Sequence, residues 1–590
     1  MRKYIFVLIA VLLVYTRFIG LNWGLPFPMH PDERNMADAV VRLQCDGDVQ
    51  SFADLKSCYN PQFFAYGQLP LYMAFVIIKF WQVGFAVFGE KVILNFPVAT
   101  LGLRIVSAFL SVLLSYTMWK TYTLLKDKIP ESKGLLNISG AWFDFLALLL
   151  LIFQPYLIQY AHFGTTETIL MLLYISTVYF SLKYIERPSW KWMAANAALV
   201  GTAAATKISG IIYGAVPFLA LMYSLFRGGY FKNVKGKLSA FLRYSFTFGI
   251  VFCLSYILSS PHNILSWKDF LNSMNYEIPV GNGSLLVFYT RQFIDTIPYI
   301  FQFTHIFPYA LGLPILVLSI LGFFVLPWRN PFVNILRFSW LIYFVVSGSL
   351  FIKWSRFMAP VMPLMTLFAI FAFLYMCRNV NFEKKLTRMC LFVVAIILLT
   401  PGYAYLTIYT HPDVRFVASK VIADTIPAGS NIFEESGNII NIPVPPPHTT
   451  FTIPFYVFNA VDVYDVTTDY DMLKIQSILD QANVVIIPSR RIFASRTCLR
   501  PTDMEFDVSE YLLNKDCEKL GQMYPYHQSY YGQIFPKESQ FIQTAQISSY
   551  PRIEIFGKIL LEFPDEFAEE TWTVFDHPVI RIYERVNPLN

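Results

Sequence analysis

Apolar runs long enough to cross a bilayer recur along the first 409 residues of this chain and then stop. A transmembrane helix needs about 20 mainly apolar residues. About eleven stretches qualify, at 4–21, 101–125, 141–161, 168–186, 193–206, 208–226, 238–259, 305–327, 332–352, 357–377 and 389–409. Hydrophobic residues make up 55% of the 590, charged ones only 15%, and mean hydropathy is +0.46, which excludes a soluble globular protein. The net charge of +6 is small for this length. It reads as cytoplasmic Lys and Arg, not as a nucleic-acid footprint, so no nucleic-acid partner is expected.

Charge placement orients the spans. With 69–88 taken as juxtamembrane helix on the outer face, one side collects Lys126, Lys128 and Lys133, then Lys183, Arg187 and Lys191. The same side collects Arg227, Lys232, Lys235 and Lys237, then Arg378, Lys384, Lys385 and Arg388. That obeys the positive-inside rule. Counting 69–88 as a span would put the first two clusters outside. Arg2-Lys3 precedes the first apolar run and no small-residue cleavage site follows it. The run is therefore expected to stay as a span with a cytoplasmic N-terminus in a multi-pass cell-membrane protein.

Residues 1–409 form the expected membrane domain, with a first outer loop at 22–100. Residues 410–590 are charged, Pro-rich and free of long apolar runs. Strand-like stretches at 431–433, 483–487, 553–556 and 579–583, with a helix-like segment at 472–482, predict an extracytoplasmic α/β domain. Pro443-Val444-Pro445-Pro446-Pro447 reads as a stiff loop. Cys45 and Cys58 fall in the first outer loop, Cys498 and Cys517 in the C-terminal domain. Each pair suits a disulfide in an oxidising compartment. Neither has the spacing of a metal site.

Candidate chemistry begins at His30-Pro31-Asp32-Glu33, directly after the first span. Ionised groups at a membrane boundary are costly and mark function. Asp32 would act as general base, with Glu33 orienting it or helping to bind a cation. The competing structural reading is a helix start, since acidic residues and Pro favour the first turn. Glu167, at the outer start of a span, is the second acid, set against a capping Thr-Thr-Glu segment. His162 reads as a polar or interfacial partner ahead of a catalyst. Lys207, Lys353 and Arg356 reach the outer face against the usual cationic bias and could pair with a lipid phosphate. The competing reading for each is snorkelling. Arg104 either joins them or pairs within the bundle. A weaker signal comes from the outer loop at 261–304, with His262, Glu277, Tyr289, Arg291 and Asp295. No Walker A loop, Rossmann fingerprint, HExxH or GxSxG elbow is present. No cofactor is required; a divalent metal, if bound, would fall to Asp32 and Glu167.

At these residues the chain resembles membrane glycosyltransferases of the GT-C fold, nearest to bacterial members of the protein O-mannosyltransferase and lipid A aminoarabinose transferase group. The motifs are Trp23, Pro31-Asp32-Glu33, Asn60-Pro61, 66–72, Leu103-Arg104-Ile105-Val106-Ser107-Ala108, Gly164-Thr165-Thr166-Glu167, Ala205-Thr206-Lys207 and 356–363. Their order covers most of residues 1–410. The C-terminal Glu570-Thr571-Trp572-Thr573-Val574-Phe575-Asp576-His577-Pro578 is also similar to a stretch in bacterial members. The resemblance implies an α-helical polytopic GT-C-like fold, Asp32 as base, Glu33 and Glu167 as accompanying acids, and Lys207 and Arg356 on a lipid phosphate. One position departs: aminoarabinose transferases carry Lys where this chain has Asn60.

The expected activity is transfer of a sugar from a polyprenyl-phosphate donor to a protein, lipid or polysaccharide acceptor, with inversion. The C-terminal domain would cap the cavity or bind the acceptor. Asp576 and His577 could serve there, set against a plain turn before the last strand. The rival is a transporter or glycolipid flippase, which should show inverted repeats or paired broken spans.

Overall fold

The computed structural model describes residues 2–45, 56–129, 140–227, 234–380, 384–437, 441–444, 456–504 and 516–586. Lys133, Lys232 and Pro445-Pro446-Pro447 lie outside the described residues. The first part is helical: α1 Arg2–Phe18, α2 Pro31–Val41, α3 Leu69–Val87, α4 Phe96–Lys128, α5 Gly140–Ile152, α6 Pro155–His162 and α7 Glu167–Glu186. Then come α8 Trp190–Thr206, α9 Ala215–Phe226, α10 Val234–Ser259, α11 His262–Leu265, α12 Trp267–Asn282, α13 Phe307–Leu311 and α14 Leu313–Val325. The series closes with α15 Pro331–Gly348, α16 Ser355–Met358, α17 Met362–Met376 and α18 Lys385–Thr410.

Among the described residues, eight helices are long and apolar enough to cross a membrane, or ten with two bent pairs counted as single spans. Nine of these coincide with expected spans. The tenth is α3, the helix expected along the outer surface, which is also long and apolar enough to cross. The other two expected spans fall on α1 and α8, of 17 residues each. The stretch at 141–161 is broken before Pro155, where α5 and α6 meet at 41°. That at 305–327 turns by 113° at Gly312. Gly312 has φ +79°, and a Cβ there would lie 2.4 Å from Pro401. Only glycine allows both the turn and the approach.

Lys126 pairs with Asp144 at 2.5 Å and Lys128 with Glu186 at 2.7 Å, which gathers one end of α4, α5 and α7. At the opposite end, the Gly67 N–H donates to the Thr206 carbonyl at 2.7 Å and the Gln68 N–H to Ser260 Oγ at 2.9 Å. The segment before α3 is thus fixed to the ends of α8 and α10. Both expected disulfides, Cys45–Cys58 and Cys498–Cys517, are formed.

After α18, helix α19 (Val414–Thr425) leads into a five-stranded sheet of order β2-β1-β3-β7-β4. Its strands are β1 Asn431–Ser436, β2 Val457–Asp462, β3 Val484–Ile487, β4 Phe541–Ile547 and β7 Ile580–Arg585, with α20 (Asp469–Leu479) between β2 and β3. The β2-β1-β3 part is parallel; β7 and β4 are antiparallel. Side chains alternate between two cores, Ile432, Val484 and Ile486 on one face, Phe433, Val485 and Ile487 on the other. A separate hairpin is made of β5 (Arg552–Ile555) and β6 (Lys558–Glu562). Strands β2, β4 and β6 had no expected counterpart.

Candidate active site

α2 starts at the acidic motif, as its residues dictate. His30 Nδ1 accepts from the backbone N–H of Asp32 and Glu33 at 3.2 and 3.4 Å, and Pro31 takes the first position. The two carboxylates then point apart. Glu33 turns inward. Arg104 Nε and Nη2 donate to its two oxygens at 2.7 and 2.6 Å, and the Gly164 N–H donates at 2.7 Å. Arg104 also donates to the Leu21 and Trp23 carbonyls and lies over the Trp23 ring at 4.1 Å. All three nitrogens of Arg104 thus donate inside the bundle. The expected roles of Glu33 in catalysis and of Arg104 in substrate binding do not fit this placement: the pair closes the first outer turn onto α4.

Asp32 turns outward into a cavity of about 500 Å³. Its Oδ2 lies 2.7 Å from Arg356 Nη1. Burial works to raise the carboxyl, and Arg356, His30, Lys207 and Arg491 override it, so it is held below the ordinary carboxylate range. Arg356 sits in α16, stacked on Trp354 at 4.0 Å. Its Nε is buried and has no hydrogen-bond partner among the described residues.

Lys207 enters the cavity because α8 ends there in extended backbone, φ −153° and ψ 132°. The following turn folds back so tightly that a Cβ on Gly210 would lie 2.4 Å from the Ala203 carbonyl. The Lys207 ammonium lies 4.2 Å from the Phe357 ring and 5.6 Å from Tyr66. Burial pushes it down to about 8, against Glu167, Asp32 and Glu277. Glu277, on α12, is pushed up by burial in spite of Lys207 and Arg356.

Glu167 stands behind the cavity wall. It is buried, its Oε1 accepting from Thr166 Oγ1 at 3.5 Å, and Leu170, one turn on, reaches the lining. Its charge acts on Lys207 across the wall. Lys353 does not line the cavity: its ammonium donates to the Phe351 carbonyl at 2.9 Å, and burial pushes it down to about 8. His162 is also elsewhere. Its ring nitrogens lie 2.7 Å from the Ile158 and Ile19 carbonyls, and it stacks on Tyr409 at 3.8 Å. It ties α6 to the ends of α1 and α18. Among the described residues, no three His, Cys, Asp or Glu side chains form a metal-ligand set. Asp32 is engaged by Arg356, and Glu167 is not in the cavity lining.

Sequence reasoning missed Arg491. It follows β3, the central strand of the five-stranded sheet, and lines the cavity beside Thr571 and Phe575. Open α/β sheets bind ligands beyond the carboxyl ends of their parallel strands, so Arg490-Arg491 after β3 was the available signal. Arg491 Nε pairs with Glu570 at 3.0 Å and with the Tyr464 hydroxyl at 3.3 Å. Tyr66, Tyr289 and Glu277, quoted from the sequence, are in the lining.

The sheet domain reaches the cavity through a buried polar dock. Asp576 Oδ2 accepts from the Tyr409 and Tyr405 hydroxyls at 2.6 and 3.1 Å and from Gln159 at 3.3 Å. His577 donates to Asp576 at 2.6 Å and Asp565 at 2.9 Å. Burial would lower His577, but these two carboxylates raise it to about 10. Asp576 and His577 therefore hold the domain on α6 and α18 and do not line the cavity.

No protein-family model and no curated protein matches the chain. Among solved structures it is similar to ArnT from Cupriavidus metallidurans bound to undecaprenyl phosphate, at 17% identity and TM-score 0.43, over 72% of this chain and 71% of that one. It is also similar to the Archaeoglobus fulgidus oligosaccharyltransferase in the apo form, at 10% identity and TM-score 0.43, over 82% and 69%. The S. cerevisiae protein O-mannosyltransferase Pmt1-Pmt2 complex bound to the sugar donor matches at 15% identity and TM-score 0.29, over 45% and 34%. These overlaps concern the course of the chain; function is argued from the site.

Proposed function

We propose that this multi-pass membrane protein is a glycosyltransferase that takes a sugar from a polyprenyl-phosphate donor. One observation carries the reading: a cavity at a shared end of spanning helices in which Asp32 faces Arg356, with Lys207, Glu277 and Arg491 around them. A lipid phosphate is the anion that meets protein at that level. The buried, unpartnered Nε of Arg356 is a donor suited to it. By the positive-inside rule, the Lys and Arg clusters at the other end of the helices support an extracytoplasmic position for the cavity.

The base and the cation touch each other. Binding of the donor phosphate would take Arg356 over from Asp32 and free the carboxylate oxygen. The acceptor O–H then attacks the anomeric carbon on the face opposite the phosphate. The bond from that carbon to the phosphate oxygen breaks, and its electron pair leaves with polyprenyl phosphate, held by Arg356 and Lys207. The acceptor proton passes to Asp32. A single displacement of this kind inverts the anomeric centre. Arg491, supplied by the sheet domain, would contact the acceptor side, next to Thr571.

The test is transfer in membranes, with radiolabelled polyprenyl-phosphate sugars offered to wild type, Asp32→Asn and Arg356→Ala at matched folded levels. Turnover of one donor by wild type, lost in both variants, is the expected result. Equal turnover in Asp32→Asn would remove Asp32 as the base. Movement of intact donor across vesicles without transfer would replace the reading by a transporter.

A further inference from the structure

The β5–β6 hairpin belongs to neither core of the sheet domain. It packs on the outer end of α18: the Arg552 N–H donates to Thr407 Oγ1 at 3.3 Å, and the Tyr403 hydroxyl to the Glu554 carbonyl at 2.9 Å. Its charges other than Lys558 gather at that base, where Glu554 pairs with Arg552 at 2.9 Å and with His411 at 3.1 Å. Away from the base, Lys558 apart, the hairpin is apolar and bare. Ile555, Ile559, Leu560 and Leu561 are each about half exposed, and Phe556 is wholly exposed.

The turn is unusual in its chemistry. Ile555 pairs with Lys558 across a two-residue loop, and both loop residues have positive φ, Phe556 at +51° and Gly557 at +73°. Asn, Asp or Gly fill such positions most readily, and a bulky aromatic there is disfavoured. An exposed aromatic in a backbone region that resists it needs a reason outside the fold.

That reason is indicated by the neighbouring surface. Leu386, Met389, Phe392, Val393, Ile396 and Ile397 form an exposed apolar belt on α18, which as a spanning helix presents it to lipid. The hairpin lies at the outer end of the same helix. We infer that the β5–β6 hairpin is a lipid-interface anchor, inserting Phe556 and the apolar side chains of β6 into the outer leaflet beside α18. The side chain of Lys558 is long enough to carry its ammonium to the headgroups. An aromatic and aliphatic tip with a cation beside it is the composition that interfacial anchors use. Pairing with a second copy through the β6 edge is the other use of such a strand. Edge pairing satisfies backbone groups and leaves both pleated faces bare, whereas the apolar side chains from Ile559 to Leu561 are exposed on both. The anchor goes beyond the proposed chemistry and does not depend on it. It would give the sheet domain a second fixed point besides the Asp576–His577 dock.

The test uses full-length protein in which Cys253, Cys377 and Cys390 are replaced by Ser. Single nitroxide labels are placed through Phe556→Cys, Leu560→Cys and, as a control at the far end of α20, Asp480→Cys. Each variant is first shown to be monodisperse and then reconstituted into phosphatidylglycerol–phosphatidylcholine vesicles. Power saturation compares collision with oxygen, which concentrates in lipid, and with a water-soluble nickel chelate. Oxygen dominating at 556 and 560, and the chelate at 480, is the expected result. The chelate dominating at 556 and 560 overturns the anchor. Protection from both, with spin–spin broadening between copies, overturns it in favour of self-association.

Discussion

Asp32 and Glu33 are adjacent in sequence yet face opposite ways, and the two should fail differently when changed. Glu33 and Arg104 are 2% and 0% exposed and joined by two short hydrogen bonds. Removing one partner of such a pair strands a buried charge and costs about 3–5 kcal/mol. Arg104→Met also strips donors from the Leu21 and Trp23 carbonyls, adding about 1 kcal/mol for each. Glu33→Met leaves the Arg104 guanidinium without its carboxylate and the Gly164 N–H without an acceptor. The double variant buries no charge and keeps only the unsatisfied backbone groups. It should therefore be more stable than the sum of the single changes by at least about 3 kcal/mol. Equilibrium unfolding in mixed micelles with increasing dodecyl sulfate, followed by tryptophan fluorescence, measures all corners of the cycle. Asp32→Asn, at a pair 12% and 22% exposed that opens onto the cavity, should cost less than either change at 33 or 104. It should nevertheless abolish turnover per folded molecule. Single changes at 33 and 104 that each cost below about 1 kcal/mol, or a double variant that merely adds them, would refute the structural role of the pair.

The dock predicts a pH window. His577 is raised to about 10 from an ordinary value of 6.5, so the folded state keeps a proton that the unfolded state has lost between those values. Its contribution is complete below pH 6.5 and fades as pH rises towards 10. Melting temperatures of wild type and His577→Gln should differ most at pH 6 and converge near pH 10; a gap that widens with pH contradicts this sign. Lys207, pushed down to about 8 by burial, should take up a proton as a lipid phosphate binds. Calorimetry of polyprenyl phosphate binding at pH 8.5, in buffers of different ionisation enthalpy, should show that uptake, and Lys207→Arg should abolish it. The Cys498–Cys517 bridge closes a loop with a sequence separation of 19, and losing it should cost about 2–4 kcal/mol by loop entropy. Unfolding of a Cys498→Ser, Cys517→Ser variant measures that, and an unchanged midpoint counts against it.

Much of the site was legible at single positions. Asp32, Lys207 and Arg356 were readable because a charge at the end of an apolar run has few structural uses, and all three line the cavity. Arg104, Glu33 and His162 gave the same signal for another reason. A buried ion pair and a histidine between two carbonyls are also polar groups at a membrane boundary, and only geometry separates them from a binding site. Arg491 gave only a weak signal, since the Arg490-Arg491 pair after a strand is ordinary until the strand is known to point at the bundle.

The sequence alone determined the membrane-embedded bundle and the change of character after residue 409, while the two disulfides it made plausible were decided by the structure. The first two follow from hydrophobic run length and charge placement, which are local properties. It did not determine the bends at Pro155 and Gly312, which depend on what packs against each break, or strands β2, β4 and β6, whose weak patterns acquire meaning only beside a partner strand. The tertiary structure alone decided which charges meet. The direction of a side chain on a helix depends on its rotation and on its neighbours. The Asp32–Arg356 pair joins residues more than 300 positions apart, and Arg491 reaches it from another domain.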